Sequence, residues 1–215
     1  MQKCKKMLMD EMDNDEIHWI DTDNISLDMA EKWSFPEINE DTIAFLQYTS
    51  GSTSNPKGVM VSHKNLIHNE KVISISISSN EKDVIVNWLP LYHDMGLIGN
   101  VLKAVYIGAT SIIMSPNDFL QKPIRWLKTI TRYKASISGG PNFAYNLCIS
   151  NISDEEKEEL DLSSWTIAFN GAEPISSETL LRFYEKFKDC GLSKTAIYPC
   201  YGLAEATLFV SGGNR

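Results

Sequence analysis

Apolar runs of strand length alternate with longer amphipathic segments along almost the whole chain after Asp41. Apolar runs of roughly four to eight residues between polar turns are typical of buried strands, and the longer segments have the spacing of helices. Strands separated by helices form βαβ units, in which neighbouring strands are parallel. The alternation therefore predicts an α/β fold with a mostly parallel sheet and flanking helices. The predicted strands are TIAFLQYT, DVIVNWL, ATSIIM, KASIS, WTIAFNG and KTAIYPCYG.

Capping residues mark several of the predicted helices between these strands. SHKNLIHNEKVISISI begins after Ser62 as N-cap, and SSETLLRFYEKFKDCG begins after Ser176 or Ser177. The helix DMGLIGNVLKAVYIG ends at Gly108, while PNDFLQKPIRWLKTITRY has Pro123 near a helix start. Residues 1–40 are acidic and irregular, so we expect them to form a lead-in to a domain that spans residues 41–215.

The charge balance excludes one broad class of function. The chain has 215 residues, a formal net charge of −8 and a pI near 5.0, whereas non-specific nucleic-acid binding needs a basic face. No apolar run approaches the roughly 20 residues of a membrane helix, and the first residues lack the apolar core of a secretory signal. We therefore expect a cytoplasmic protein with no nucleic-acid partner and no membrane span. Its four cysteines have no paired short spacing, which predicts free thiols.

The segment YTSGSTSNPKGVMVSH places a loop rich in hydroxyl groups between two apolar runs. Gly51 and Gly58 permit backbone conformations that other residues resist, and consecutive backbone N–H groups in such a loop can bind an anion. Lys57 adds a positive charge, so the composition suits a polyphosphate. The segment does not fit the Walker A pattern, because Gly58 rather than Ser or Thr follows Lys57. From these residues alone, both a phosphate loop of another kind and a polar surface loop remain open.

Three further polar segments follow predicted strands or end them, which is where α/β sheets bind ligands. In NWLPLYHDMGLIG, His93 and Asp94 form a polar turn that could cap the next helix, with Asp94 as N-cap. A His–Asp metal site there would need further ligands at a fitting spacing. In FNGAEP, Gly171 and Ala172 suit either a tight turn or a flat ring that lies on the backbone. In YGLAEAT, Glu205 taken alone is a surface carboxylate.

Taken together and in this order, the four segments resemble the core motifs of the adenylate-forming enzymes, the superfamily of acyl-CoA synthetases, luciferases and non-ribosomal peptide adenylation domains. YTSGSTSNPKG is similar to the phosphate-binding signature of that superfamily and departs from it at Ser54, where glycine is usual. LPLYHDMGL, NGAEP and YGLAEATL resemble the fatty acyl-AMP ligase branch. The resemblance covers about residues 41–213 and implies part of the large domain of such an enzyme.

The resemblance also implies a role for each motif. Lys57, His93 and Glu205 are the implied catalytic residues: Lys57 binds phosphate, His93 lines the acyl pocket near the reacting carboxylate, and Glu205 coordinates Mg²⁺ with Thr53 nearby. Tyr201 is expected to stack on adenine, as aromatic side chains do on bases. The implied ATP-binding residues are Thr49, Ser50, Gly51, Ser52, Thr53, Lys57, Asn170, Gly171, Ala172, Glu173, Pro174, Tyr201, Gly202, Leu203 and Ala204.

The implied reaction has two halves. A fatty acid carboxylate attacks the α-phosphate of ATP to give acyl-adenylate and pyrophosphate, and the acyl group then passes to the thiol of an acyl carrier protein. The ribose-binding Asp, the small C-terminal domain and the catalytic Lys of the family have no counterpart in this sequence. We therefore expect the chain to bind nucleotide weakly and to form no acyl-adenylate alone. The alternatives are part of an acyl-CoA synthetase or amino-acid adenylation domain, and a non-catalytic nucleotide-binding remnant.

Overall fold

The computed structural model describes residues 24–49 and 57–213. The chain divides into two compact units, Met1–Ile38 and Asn39–Arg215. Within the described ranges, no helix is both long enough and apolar enough to cross a membrane.

The described part of the first unit is short and contains one element. A 3₁₀ helix spans Leu27–Lys32, and the Ser26 side chain caps it by accepting a backbone hydrogen bond. Trp33 and Phe35 follow, with their rings edge to face and the ring centroids 5.9 Å apart. This segment has no buried residue, in keeping with its polar, irregular sequence.

The strands of the second unit form two separate sheets. The first is a two-stranded antiparallel sheet of β1 and β2, and the second has six strands in the order β4–β3–β5–β6–β7–β8. Every neighbouring pair of the six-stranded sheet is parallel except β7 and β8. The strands are β1 (Ile43–Thr49), β2 (Lys57–Ser62), β3 (Val84–Asn87), β4 (Thr110–Ile113), β5 (Ile137–Gly140), β6 (Ile167–Asn170), β7 (Ile197–Gly202) and β8 (Phe209–Gly212).

This architecture confirms the predicted α/β class with a mostly parallel sheet. The strand β8 was not predicted, because it is short and follows the polar turn of the YGLAEAT segment, with three of its four residues exposed or glycine. It returns antiparallel to β7, with Tyr201 opposite Ser211. The hydroxyl-rich loop joins β1 to β2, whose ends pair through Thr49 and Lys57.

Helices cover both faces of the six-stranded sheet. The helix α1 has the predicted N-cap Ser62, whose side chain and backbone exchange hydrogen bonds with Asn65. Ser176 is the N-cap of α8, and Gly191, with a positive φ of 89°, ends the 3₁₀ turn Lys188–Cys190 that follows this helix. The helices are α1 (His63–Ile77), α2 (Asp94–Gly96), α3 (Lys103–Ile107), α4 (Pro116–Gln121), α5 (Ile124–Tyr133), α6 (Asn142–Asn151), α7 (Asp154–Lys157) and α8 (Ser177–Phe187).

The helix predicted over residues 94–108 is not a uniform α-helix. A π-helical segment, Leu97–Leu102, separates α2 from α3, and Gly108 ends α3 with a φ of 72°. The Asn100 amide nitrogen donates to the carbonyl oxygen of Met95 at 2.7 Å. This side chain competes for the oxygen that an α-helical Gly99 N–H would use, which favours the wider turn. Such π segments inside helices are frequent at functional sites.

Proline divides the amphipathic segment that follows β4. The sequence predicted one helical region with Pro123 near a helix start, and the structure has two helices, α4 and α5, with Pro123 as the N-cap of α5. Lys122 has φ −150° and ψ 88°, outside the helical region. The residue before a proline is disfavoured in the α conformation, so α4 ends there.

Alternating side chains of the central strands build the core on the two faces. Val86 and Ala168 point to the face covered by α5, α6 and α8, where buried aromatic rings such as Trp126 and Phe183 pack. Ile85, together with Ile137 and Ile167 of the adjacent strands, points to the face covered by α1 and α3. Because both faces are buried, the strands are apolar runs, as expected for a parallel sheet. The second face is the one that positions the candidate site.

Candidate functional site

A cavity of about 740 Å³ lies between α1 and the six-stranded sheet and opens at the carboxyl ends of β6 and β7. Its interior is mainly apolar. Ile137 and Ile167 are the first residues of β5 and β6, whereas Gly171 directly follows β6. At about 3.3 Å per residue, the cavity therefore extends roughly 13 Å along β6 from mouth to floor. The described residues of its interior are Ile73, Ile77, Ile137, Ile167, Phe169, Tyr198, Cys200, Leu208 and Phe209.

The mouth of this cavity is built by the motifs that the sequence singled out. Parallel strands end at the same edge of the sheet, so segments that follow them come together there. Nine of the predicted site residues line the cavity: Thr49, His93, Gly171, Ala172, Tyr201, Gly202, Leu203, Ala204 and Glu205.

Close packing against β7 explains the small residues after β6. A side-chain Cβ on Gly171 would lie 2.9 Å from the carbonyl oxygen of Cys200 and 3.0 Å from its sulfur, so glycine alone fits without a shift. Ala172 follows with a φ of 68°, a left-handed conformation that costs a non-glycine residue energy. The backbone of both residues therefore borders the cavity directly, which leaves room for a flat ligand group.

Three predicted members of the NGAEP segment do not line the cavity. Asn170 is fully buried, and its amide nitrogen donates to the carbonyl oxygen of Gly140 at 3.2 Å. Glu173 accepts a hydrogen bond from the backbone N of Phe143 at 2.6 Å and so caps the start of α6. Pro174 is exposed and outside the lining. These residues shape the turn rather than the cavity surface.

His93 lies at the mouth and is paired with its neighbour Asp94. It is the N-cap of α2, one residue before the Asp94 cap considered from sequence. The His93 Nδ1 lies 2.8 Å from Asp94 Oδ1, and the Met95 backbone N lies 2.6 Å from the same oxygen. The Asp94 carboxylate accepts both hydrogens when Nδ1 is protonated, which leaves Nε2 for a ligand. The hydrogen bond to Asp94 raises the pKa of His93 above its ordinary value, although partial burial opposes this.

The hairpin of β1 and β2 contributes one side of the mouth. Thr49 lines the cavity, while Lys57 is exposed at the start of β2 and outside the lining. The Gln47 amide nitrogen donates to the carbonyl oxygen of Tyr92 at 3.2 Å, which attaches the hairpin to the His93 turn. The predicted residues Ser50, Gly51, Ser52 and Thr53 lie outside the described residues.

Tyr201 and Glu205 complete the mouth on the β7 side. The Tyr201 side chain is 61% exposed although it lies in a strand. Glu205 lies in a 3₁₀ turn, Ala204–Ala206, and is exposed. It borders the main cavity and also a second cavity of about 330 Å³. The described lining of the second cavity is Lys64, Asn65, His68, Asn69, Glu205, Ala206 and Thr207.

Some residues that shape the site had no signal in the sequence. Asp94 was considered as a helix cap and as part of a His–Asp metal site, whereas in the structure its carboxylate pairs with His93 and raises the pKa of that ring. Asn69 is a polar residue inside α1 whose side chain bonds to the turn after Glu205. Ile73 and Ile77 lie in the second half of α1, and their side chains line the cavity. The roles of Asn69, Ile73 and Ile77 are visible only from tertiary contacts.

The residues present fit a magnesium ion for which the protein supplies one carboxylate and a bound nucleotide supplies most of the ligating oxygens. Within the described part of the chain, no group of three His, Cys, Asp or Glu side chains is placed to hold a metal. Glu205 offers one exposed carboxylate at the cavity wall. Mg²⁺ is usually held by one or two carboxylates together with substrate phosphates and water. The donor set therefore suits a metal that arrives with a nucleotide.

Comparison with known proteins identifies the family. The model described as AMP-binding enzyme matches residues 3–214. The medium-chain-fatty-acid–[acyl-carrier-protein] ligase TtuA of Teredinibacter turnerae is 50% identical over 186 residues, which cover 86% of this chain and 29% of that protein. The ligase of the same description named JamA, from Moorena producens, is 48% identical over 195 residues, with coverages of 91% and 33%.

A solved structure agrees with these relatives. The fatty acyl-adenylate ligase from L. pneumophila, in complex with acyl adenylate and pyrophosphate, matches with a TM-score of 0.87 and 56% identity, covering 91% of this chain and 34% of that chain. The chain thus spans about a third of the length of these relatives. The resemblance to adenylate-forming enzymes of the fatty acyl-AMP ligase branch is confirmed. The chain belongs to the AMP-binding enzyme family.

Proposed function

We propose that this chain supplies the ATP-binding and acyl-binding surface of a fatty acyl-AMP ligase, which activates a fatty acid as its acyl-adenylate. The observation that carries the proposal is one continuous cavity with two chemical zones. Its mouth has the residues expected to contact ATP, and its interior is lined by aliphatic and aromatic side chains over roughly 13 Å. A fatty acid has the same division, with a carboxylate at one end and an apolar chain behind it.

The polar zone suits a nucleotide. Tyr201 presents an exposed ring beside the backbone of Gly171 and Ala172, where an adenine base can stack and lie flat. Glu205 and Lys57 supply one negative and one positive group for a metal–phosphate unit. Glu205 would hold a magnesium ion that arrives with the nucleotide, and such an ion would supply positive charge against the leaving pyrophosphate.

His93 lines the cavity mouth, where the proposed reacting groups would meet. The carboxylate oxygen of the fatty acid attacks the α-phosphorus, the bond between that phosphorus and the bridging oxygen breaks, and pyrophosphate leaves with the electron pair. Both reacting groups are anionic, so alignment and charge neutralisation are the main requirements. With Nδ1 bonded to Asp94, His93 presents Nε2–H as a hydrogen-bond donor when the ring is protonated.

The relatives support the identity of substrate and acceptor. TtuA and JamA are named as medium-chain-fatty-acid–[acyl-carrier-protein] ligases. The L. pneumophila structure contains acyl adenylate and pyrophosphate, the two products of the activation step. By this similarity, we assign a fatty acid as substrate, ATP with Mg²⁺ as cofactors, an acyl carrier protein as the partner of the full-length enzyme, and a cytoplasmic location.

Nucleotide binding by the purified chain tests the proposal. MgATP is titrated by NMR, which detects weak binding, into the wild type and into the Lys57→Ala and Glu205→Ala variants. We expect both variants to bind MgATP several-fold more weakly, because each removes one charge that contacts the metal–phosphate unit. Glu158→Ala is the matched control, since Glu158 is exposed and borders neither cavity. Equal affinity of all four proteins would contradict the assignment of the phosphate side.

A further inference from the structure

The side chain of Asn69 makes three hydrogen bonds to the backbone just after Glu205. Its amide nitrogen donates to the carbonyl oxygens of Phe209 at 2.9 Å and Ala206 at 3.3 Å, and its Oδ1 accepts from the backbone N of Phe209 at 3.0 Å. Asn69 is 6% exposed and lies in the middle of α1. One side chain therefore binds both polar groups of Phe209, as a neighbouring strand would do.

The turn that Asn69 holds is short and has an uncommon backbone conformation. Thr207 has φ 73° and ψ −57°, a region that non-glycine residues rarely adopt. On the other side of the turn, the backbone N of Leu203 donates to the carbonyl oxygen of Leu208 at 2.9 Å. Such a conformation persists only where the surroundings fix it. The three bonds from Asn69 provide that constraint on the side facing α1.

The same helix is directly continuous with the phosphate-loop hairpin. Ser62 is the last residue of β2 and also the N-cap of α1, and β2 begins at Lys57. A chain segment without interruption therefore connects the strand that carries Lys57 to the helix that carries Asn69. Through Asn69, this segment is joined to the turn that carries Glu205.

We propose that Asn69 is a positioning residue that holds the Glu205 carboxylate at a fixed place relative to the hairpin of Lys57, so that both groups reach the metal–phosphate part of one nucleotide. The inference rests on the proposed function, because it concerns the site of Glu205. Asn69 itself borders the second cavity and not the main one. It acts on the ligand through the turn.

The other buried asparagines bond in different ways. Asn87 also uses both its side-chain nitrogen and its oxygen, but on two separate residues near in sequence, Gly96 and Leu89. Asn100 is fully buried, and its amide nitrogen bonds to Met95, but its side-chain oxygen has no hydrogen-bond partner. Asn170 likewise bonds through its nitrogen and leaves its side-chain oxygen unpaired. By contrast, the Asn69 oxygen and nitrogen both bond to the one turn that carries Glu205.

The first measurement reads the turn directly and needs no ligand. Amide hydrogen exchange of residues 203–209 is followed by NMR in the wild type and in the Asn69→Ala and Asn69→Leu variants, the second of which retains a side chain of similar size. We expect exchange of the Phe209 amide to rise about tenfold or more, because its acceptor is removed. Ser138→Ala is the control. It removes the buried acceptor of the Trp126 ring N–H on the opposite face of the sheet.

The second measurement reads the consequence for the ligand. Affinity for MgATP and for ATP with EDTA is determined for the wild type, Glu205→Ala, both Asn69 variants and Ser138→Ala. We expect the wild type and Ser138→Ala to prefer MgATP. In the Asn69 variants, the preference for MgATP should fall to that of Glu205→Ala, while the affinity for metal-free ATP stays unchanged. General destabilisation of the protein would weaken the binding of both forms of ATP.

Each contrary result has a distinct meaning. Unchanged exchange of the Phe209 amide in both Asn69 variants overturns the inference, whatever the ligand does. A looser turn with an intact MgATP preference, in a protein where Glu205→Ala abolishes that preference, leaves Asn69 a structural role only and also overturns it. If Glu205→Ala itself has no effect, the metal site of the proposed function is wrong, and the inference for Asn69 is refuted with it.

Discussion

Ile137 and Ile167 form the floor of the main cavity, so shortening Ile167 to alanine should let the protein accept a longer fatty acid. Both residues are the first of their strands, and both are almost fully buried yet border the cavity. The substitution removes three side-chain carbons from the floor. The space gained lies in line with the roughly 13 Å channel along β6.

The expected magnitude follows from the apolar area that a longer chain buries. Three carbons give room for about two further methylene groups, and each buried methylene contributes about 0.8 kcal/mol. The gain of about 1.6 kcal/mol corresponds to a roughly fifteenfold shift in relative affinity toward the fatty acid that is two methylenes longer. Ile167→Phe should shift the preference in the opposite direction, because the larger ring raises the floor.

The assay is a competition series in which fatty acids that differ by two methylene groups displace a fluorescent fatty acid from the protein. Ile130→Ala is the matched control, since Ile130 is fully buried in the core on the other face and borders neither cavity. It loses the same carbons at a comparable cost in stability. An unchanged length preference in Ile167→Ala, or an equal shift in Ile130→Ala, would refute the placement of the acyl chain along β6.

The further predictions concern the Lys103–Glu70 pair, the backbone strain at Ala172 and the His93–Asp94 pair. Lys103 and Glu70 form a buried ion pair, with Nζ 3.8 Å from Oε2. At about pH 9, Lys103→Met should destabilise the protein by about 3–5 kcal/mol in denaturant unfolding, because the buried Glu70 carboxylate must then either stay charged without a partner or take up a proton. Adding Glu70→Gln should restore most of this loss. Burial raises the pKa of Glu70 from 4.5 to about 7, so this group should reduce stability as pH rises from about 4.5 to about 7. Ala172→Gly should raise stability by about 0.5–1 kcal/mol in thermal unfolding, because relief of roughly 1–2 kcal/mol of left-handed strain exceeds the added chain entropy; a lower melting temperature would contradict the strain. Asp94→Asn should lower the pKa of His93 in an NMR titration, since Asp94 stabilises the imidazolium. The stabilisation from this pair is present below the ordinary pKa of histidine and lost as pH rises through the raised value; an unchanged titration would disprove the Nδ1–carboxylate bond.

The order of strands and helices could be predicted from the sequence because burial on both faces makes each central strand an uninterrupted apolar run. The caps Ser62 and Ser176 were readable for a local reason, since a cap acts within three residues. The short strand β8 was not predicted because three of its four residues are exposed or glycine, and the π segment Leu97–Leu102 was not predicted because it depends on one side-chain bond.

The residues of the candidate site likewise divide into those that the sequence predicts and those that it does not. Motif residues such as Tyr201 and Glu205 stand out by type and order, and the fold brings them to one edge of the sheet. Residues whose role is to orient others gave no such signal. Asn69 bonds to a turn that is 140 positions away in the chain at Phe209, and nothing in the composition of α1 discloses that contact.

The separation of β1 and β2 from the six-stranded sheet has a consequence for local opening. The hairpin has its own two-stranded ladder, so tilting it breaks no ladder bond of the larger sheet. The bond from Gln47 to Tyr92 is one contact that such a tilt must break. Segments with few anchoring contacts open at a small fraction of the free energy of global unfolding. The proposed phosphate side of the site is thus carried by a hairpin that is attached through the β2–α1 connection at Ser62 and through contacts such as the Gln47–Tyr92 bond, and not through the ladder of the larger sheet.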